Sequence, residues 1–183
     1  MNILQYNIQE RMYRNIFLFL SFLYLVFISV YSVNQFDLGY QLSMIIRIKS
    51  GQVIYKDFDY IRPFFSIIFW DSILKLIPIS SDFLILISRV FTIVESFIIC
   101  HIIQRLFFEN SGIQTNIFLL ICFLHTFPIM PWHTIDGIFF SVLSLFFYKK
   151  KWHLSALIFV VFAASTKQSF FIWYMFFYFF YYF

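Results

Sequence analysis

Apolar residues along this chain gather into long blocks, and polar residues are pushed into the gaps between them. The blocks are 16–33, 64–79, 83–106, 116–131, 132–148, 152–166 and 169–183. Most approach the length of about 20 apolar residues that a helix needs to cross a bilayer, for which about 17 is the low end. The gap after the first block is unlike the others. It runs through NQFDLGYQLS and RIKSGQVIYKDFDYIRPF and holds three aspartates, Asp37, Asp57 and Asp59, with Arg47, Lys49, Lys56 and Arg62. Inside it, Leu38, Leu42, Ile45, Ile46 and Ile48 recur at helical spacing, with Gln41, Arg47 and Lys49 on the polar side. That pattern predicts an amphipathic helix over 38–49 lying at a membrane interface, with Asp37 as its N-cap or just before it and Gly51 closing it.

Basic flanks order the blocks. Lysine and arginine in short loops favour the cytoplasmic side. Arg11 and Arg14 precede the first block, and Lys149, Lys150 and Lys151 follow the fifth of the six blocks before the last turn. Both flanks belong inside, so an even number of crossings separates them, and one intervening block does not span. The weakest is 64–79, which is short, carries Asp71 and Lys75 four apart on one helical face, and ends at Pro78. It suits an interfacial helix. In a second solution, 116–131 and 132–148 form one broken hairpin. The first solution gives spans 16–33, 83–106, 116–131, 132–148 and 152–166, the start of a sixth at 169–183, and an outer loop 34–82. The expected fold class is all-α, a polytopic transmembrane helical bundle with amphipathic interfacial helices in its first outer loop. The N-terminus lies in the cytoplasm, and Arg105 also falls on that side.

Composition agrees with this picture. Of 183 residues, 62% are hydrophobic and 12% charged, with 30 Phe and 12 Tyr. A soluble domain of this size has nowhere to hide so much apolar surface. The net charge of +4 is spent on topology and predicts no nucleic-acid partner. Cys100 and Cys122 sit inside apolar blocks as packing residues, and His101, His125 and His133 are scattered and read as core or interface residues. Glu95 lies mid-block and must face protein or a cavity.

On this topology the ionisable groups of the first loop, of the turn PWHTID (131–136) and of the turn STKQS (165–169) share the outer face. Alternation places Val53, Tyr55, Asp57 and Asp59 on one side if that segment is extended. Such a pair of acids before Arg62 is either a phosphate- or metal-binding edge or a solvated loop with weak ion pairs. Asp37 either caps its helix or holds a carboxylate ready to take a proton at the membrane surface.

The order D-x-G-Y-Q-L, R-I-x-x-G-Q-x-I-Y-x-D-F, R-P after a first transmembrane helix resembles the N-terminal part of GT-C-type multispanning glycosyltransferases, such as the protein O-mannosyltransferase and aminoarabinose transferase relatives. Arg89, the Pro128/Pro131 turn ending at Asp136, and Lys167-Gln168 follow in the same order. The resemblance implies sugar transfer from a polyprenyl-phosphate-linked donor to an acceptor on the outer face, in a bacterial cytoplasmic membrane. It implies Asp37 as the catalytic acid-base residue. It implies Asp57, Asp59, Arg62, Asp136 and Lys167 as residues of the donor-phosphate or acceptor site. Metal use is left open, with Asp37 and Asp57 the ligands if a divalent cation takes part. Leu38 stands where many relatives have a second acid, and Phe64 where many have a second proline. Relatives continue with further spans, so the sequence reads as an N-terminal fragment whose activity alone is an open question. A transporter or lipid flippase, and a non-catalytic membrane protein, are the alternatives.

Overall fold

The computed structural model describes residues 3–31, 35–76, 81–108 and 112–172, with 175, 176 and 179. Among these residues there are seven α-helices and no β-strand. They are α1 (Ile3–Tyr31), α2 (Gln35–Lys49), α3 (Phe65–Lys75), α4 (Ser81–Phe107), α5 (Ile113–Thr126), α6 (His133–Lys149) and α7 (His153–Thr166), before a 3-10 turn at Gln168–Phe170. One of them, α4, is long and apolar enough to cross a membrane, through Phe83–Phe107.

Contacts between helices fix their directions. Tyr13 and Phe17 of α1 meet Gln114, Thr115 and Phe118 of α5, and Tyr24 further along α1 bonds His125 further along α5 at 2.6 Å. So α1 and α5 run the same way. His101 lies 3.1 Å from Asn116, and Gln104 donates to the Gly112 carbonyl at 2.8 Å, which makes α4 and α5 an antiparallel hairpin. The Glu95 carboxyl of α4 lies against Asp136 of α6, and Lys149 at the far end of α6 reaches the Leu106 carbonyl, so these two run parallel. Phe147 stacks on Trp152 while Lys167 reaches Thr134, so α6 and α7 form a second hairpin. Thus α1, α5 and α7 point one way and α4 and α6 the other. The first loop, the α5–α6 turn and Lys167 come to one end, and the lysine-rich turn comes to the other.

Local chemistry sets the helix ends. Gly51 has φ 89, its N–H bonds the Ile48 carbonyl and that of Gln52 bonds Arg47, a left-handed closure that glycine takes without a Cβ clash. At the end of α6 the same pair of bonds runs from Lys151 to Tyr148 and from Trp152 to Phe147. Here Lys151 takes the left-handed position with φ 63, and Phe147 stacks on Trp152 at 5.6 Å. The α5 block predicted to continue to 131 stops at Thr126. Pro128 pushes the residue before it into extended backbone, and Phe127 has φ −117 and ψ 141. Asp37 lies inside the first turn of α2, two residues after the helix begins at Gln35, so it is not the N-cap. The block at 64–79 is helical over Phe65–Lys75, and 77–80 lie outside the described residues. Within it, Asp71 and Lys75 pair at 2.5 Å across one turn.

The expected extended run 53–59 is corrected. Tyr55 has φ 64, its N–H bonds the Phe58 carbonyl, and Ile54 bridges to Phe58, so the chain doubles back and the alternation is lost. Phe58 and Tyr60 are thereby turned under α2, into a core with Leu38, Leu42, Ile45, Ile67, Trp70 and Leu74. Each large side chain buried in that core contributes about 1.5–3 kcal/mol. Packing of this kind, not backbone propensity, holds the first loop in one shape.

Gly137 allows α6 and the segment after α7 to approach closely, because a Cβ there would run into the Phe170 ring. Gly137→Ala gains up to about 1 kcal/mol of helix propensity, but overpacking of this sort costs about 1–3 kcal/mol. The expected result is a lower Tm for the detergent-solubilised chain, with recovery when Phe170→Ala is combined with it. An unchanged Tm would mean that the ring swings aside freely.

Candidate functional site

The richest polar cluster forms where the first loop, α3, α4, the start of α6 and the end of α7 meet. Asp136 is fully buried in the first turn of α6. Its Oδ1 accepts from Trp70 Nε1 at 3.0 Å, and its Oδ2 accepts from the Ser66 hydroxyl. Ser66 and Trp70 are four apart on α3, so one helical face presents both donors. The Glu95 carboxyl from α4 lies beside Asp136, yet neither of its oxygens completes a hydrogen bond of good geometry. Glu95 is buried, as an acid within an apolar block must be.

One turn before Asp136, His133 meets Arg62. The Arg62 Nη1 lies 2.6 Å from Nδ1 and 2.7 Å from Nε2 of the ring. A guanidinium only donates, so an imidazole nitrogen accepts. The Tyr55 hydroxyl donates to the Arg62 carbonyl at 2.9 Å and, with Pro63 following, fixes the arginine's backbone. Between them, Lys167 Nζ lies 3.1 Å from the Thr134 hydroxyl. Arg62 from the first loop and Lys167 from beyond α7 therefore converge on the first turn of α6. Among the described residues no ion pair joins either of them to a carboxylate. The residue before α6, Trp132, supplies no side-chain cap. The first N–H groups of α6 and its dipole, about half a positive charge, add to the two cations. Asp136 already puts a carboxyl in this turn, with its oxygens turned to Trp70 and Ser66, and a phosphate would fit the charge and donors that Arg62 and Lys167 add.

Tyr60 borders the corner. Its hydroxyl donates to Gln41 Oε1 at 3.4 Å, and burial pushes its phenol up to about 12, so it stays a donor at neutral pH. Gln41 stands one turn after Asp37 on α2, so the two share a helical face. Asp37 is half-buried.

The site residues expected from the sequence thus divide. Arg62, Asp136 and Lys167 come together. Asp57 and Asp59 stay exposed, and no described bond or ion pair joins them to Arg62. Asp57 Oδ2 accepts from its own loop's Val53 N–H at 2.7 Å, which makes it a turn-closing residue. Asp136 is an anchor between α3 and α6, not an acid open to solvent. His133, Ser66, Trp70 and Tyr60 were not foreseen. The i,i+3 spacing of His133 and Asp136 and the i,i+4 spacing of Ser66 and Trp70 were the signals available. No group of three or more His, Cys, Asp or Glu gathers among the described residues, and Asp57 Oδ2 is taken up by the Val53 N–H. Comparison with family models, with curated proteins and with solved structures gave no match.

Proposed function

We propose that the chain is the scaffold of a membrane-embedded glycosyltransferase that takes a sugar from a polyprenyl-phosphate donor at the corner formed by Arg62, His133 and Lys167. The observation that carries this reading is the convergence of two cations without carboxylate partners on an uncapped helix N-terminus. The GT-C resemblance of the first loop supports the sugar chemistry. The alternating directions of α1, α4, α5, α6 and α7 are those a polytopic bundle requires.

Side-chain placement supports a lipid surround. On α4 the polar residues Ser88, Arg89, Thr92, Glu95 and Ser96 are buried, while Phe83, Leu86, Val90, Val94 and Phe97 are exposed. Apolar outside and polar inside is the reverse of a helix in water. A lipid-linked donor brings its phosphate to the bilayer surface, where the corner lies.

In the reaction, an acceptor hydroxyl oxygen bonds to the anomeric carbon. The bond from that carbon to the phosphate oxygen breaks, and its electron pair leaves on the polyprenyl phosphate. Arg62 and Lys167 steady the leaving phosphate, and a carboxylate takes the hydroxyl proton. Asp136 has both oxygens occupied and no exposure, and Asp57 closes its turn. Of the first-loop acids left, Asp59 is exposed in its turn, and Asp37 lies on a helical face that leads, through Gln41 and Tyr60, to the corner.

The test is binding of polyprenyl phosphate to the purified chain in detergent, followed by tryptophan fluorescence; Trp132 lies against His133 with ring centroids 6.0 Å apart. A charge-assisted bond contributes about 1.5–3 kcal/mol. Arg62→Gln and Lys167→Gln should therefore each weaken binding roughly tenfold to a hundredfold. Wild-type affinity in both variants would remove the phosphate from this corner. A carrier reading rests on a different observation, the Glu95 carboxyl buried beside Asp136 midway along α4. Sugar transfer by the purified chain, against solute uptake by vesicles containing it, separates the two.

A further inference from the structure

The opposite end of α6 closes a separate cavity of about 720 Å³ between α4 and α6. The end points of α6, His133 and Lys149, are sixteen residues apart, which places this cavity about 24 Å from the Arg62 corner. Three cations rim it, Arg105, Lys149 and Lys150, and its wall is apolar, made by Ile102, Leu106 and Phe146. Lys149 Nζ reaches the Leu106 carbonyl at 3.4 Å and ties the two helix ends together. The Lys150 ammonium lies 5.8 Å from the Phe146 ring centroid, over its face. His101, the remaining lining residue, is held from behind by Asn116 at 3.1 Å. Among the described residues no acid lines the cavity.

Part of this charge answers the helices themselves. Both α4 and α6 end here, and each C-terminus carries about half a negative charge. Arg105 and Lys150 alone exceed that by about one charge. The volume lies within the range of about 300–1,000 Å³ usual for small-ligand sites. The apolar wall is continuous along α4 with Val94, Phe97 and Ile98, which are exposed. A soluble phosphate has no use for such a wall, whereas an acyl chain does.

The geometry points to a binding site for one anionic phospholipid of the cytoplasmic leaflet. Its headgroup phosphate sits among Arg105, Lys149 and Lys150, and an acyl chain lies along Ile102, Leu106 and Phe146. Basic pockets between membrane helices on the cytoplasmic side take anionic headgroups for the same reasons of charge and access. The site is independent of the sugar-transfer reading, because it shares no residue with the Arg62 corner.

The test uses the full chain in nanodiscs of phosphatidylcholine with increasing phosphatidylglycerol, with retained lipid counted by native mass spectrometry after release. The wild type should retain one phosphatidylglycerol in preference to phosphatidylcholine. A basic residue near an anionic membrane surface contributes about 1 kcal/mol, or roughly fivefold in affinity. Arg105→Gln and Lys150→Gln should each weaken retention by about that factor, and the double variant by roughly twenty-five-fold. Both positions are exposed, so the helical content should not change. Arg62→Gln should retain the lipid as the wild type does, even where it loses polyprenyl phosphate at the other end. Equal retention of the two lipids, wild-type retention in the double variant, or displacement of the lipid by inorganic phosphate at equal concentration would each overturn the proposal.

Discussion

Asp136→Ala is expected to lower the stability of the chain by about 3–5 kcal/mol, the largest effect of any substitution near the site. The reason is the accounting of buried donors. Trp70 Nε1 and the Ser66 hydroxyl both donate to Asp136, and all three residues are within 1% of complete burial. Alanine removes the acceptor for both. A buried donor left without a partner costs about 1–3 kcal/mol, and there are two of them. Asp136→Asn makes a sharper comparison. Its amide oxygen can face Trp70, which only donates, and its NH₂ can face Ser66, whose hydroxyl also accepts. The asparagine variant should therefore keep most of the stability that the alanine variant loses. Thermal midpoints of the two variants in one detergent test this, and an alanine variant as stable as the wild type would show that α3 is held to α6 by its apolar contacts alone.

The hydropathy of the chain carried a good deal of this architecture. The apolar blocks 83–106, 132–148 and 152–166 and the helices α4, α6 and α7 end within two residues of one another. Apolar blocks bounded by charge or by a tight turn leave few other places for a helix to stop. Where a block and its helix part company, another force decides. Glu10, Arg11 and Arg14 interrupt hydropathy but are good helix formers, so α1 begins at Ile3, well before the block at 16. Pro128 is apolar enough to extend a block and still ends α5. Val53 to Asp59 alternates in polarity like a strand, but no partner strand exists among the described residues, and the burial of Phe58 and Tyr60 folds it into turns.

The site was legible only as a set of addresses. Positive flanks and block parity put Arg62, Asp136 and Lys167 on one face, and the structure brings these three to one end of the bundle. Which of them meet, and what else joins them, depends on side-chain packing that no spacing encodes. His133 reads as one of several scattered histidines until Arg62 is placed against it. Ser66 and Trp70 read as part of a weak apolar block until Asp136 is buried between them. Exposure also separates the acids, because Asp136 with no accessible oxygen holds helices together, whereas Asp37 at the start of α2 is only half-buried.

That distinction leads to the functional experiment with the largest expected effect. Asp37→Asn should reduce sugar transfer by about a hundredfold to ten-thousandfold, the contribution usual for a positioned proton acceptor. Polyprenyl phosphate should bind as in the wild type, because Arg62 and Lys167 are untouched. Asp37 lies in the first turn of α2, where a negative charge also favours the helix dipole by about 0.3–1 kcal/mol, so a small loss of Tm is expected as well. The split between transfer and binding separates the two roles. A helix-capping residue alone would lower Tm and leave transfer near its wild-type rate. A base would remove transfer and leave binding intact. Asp57→Asn serves as the control, since Asp57 Oδ2 accepts from Val53 within its own turn and an asparagine oxygen can accept there too. Transfer lost on Asp57→Asn and kept on Asp37→Asn would move the proton acceptor to the exposed turn and require that turn to close over the Arg62 corner when the donor binds.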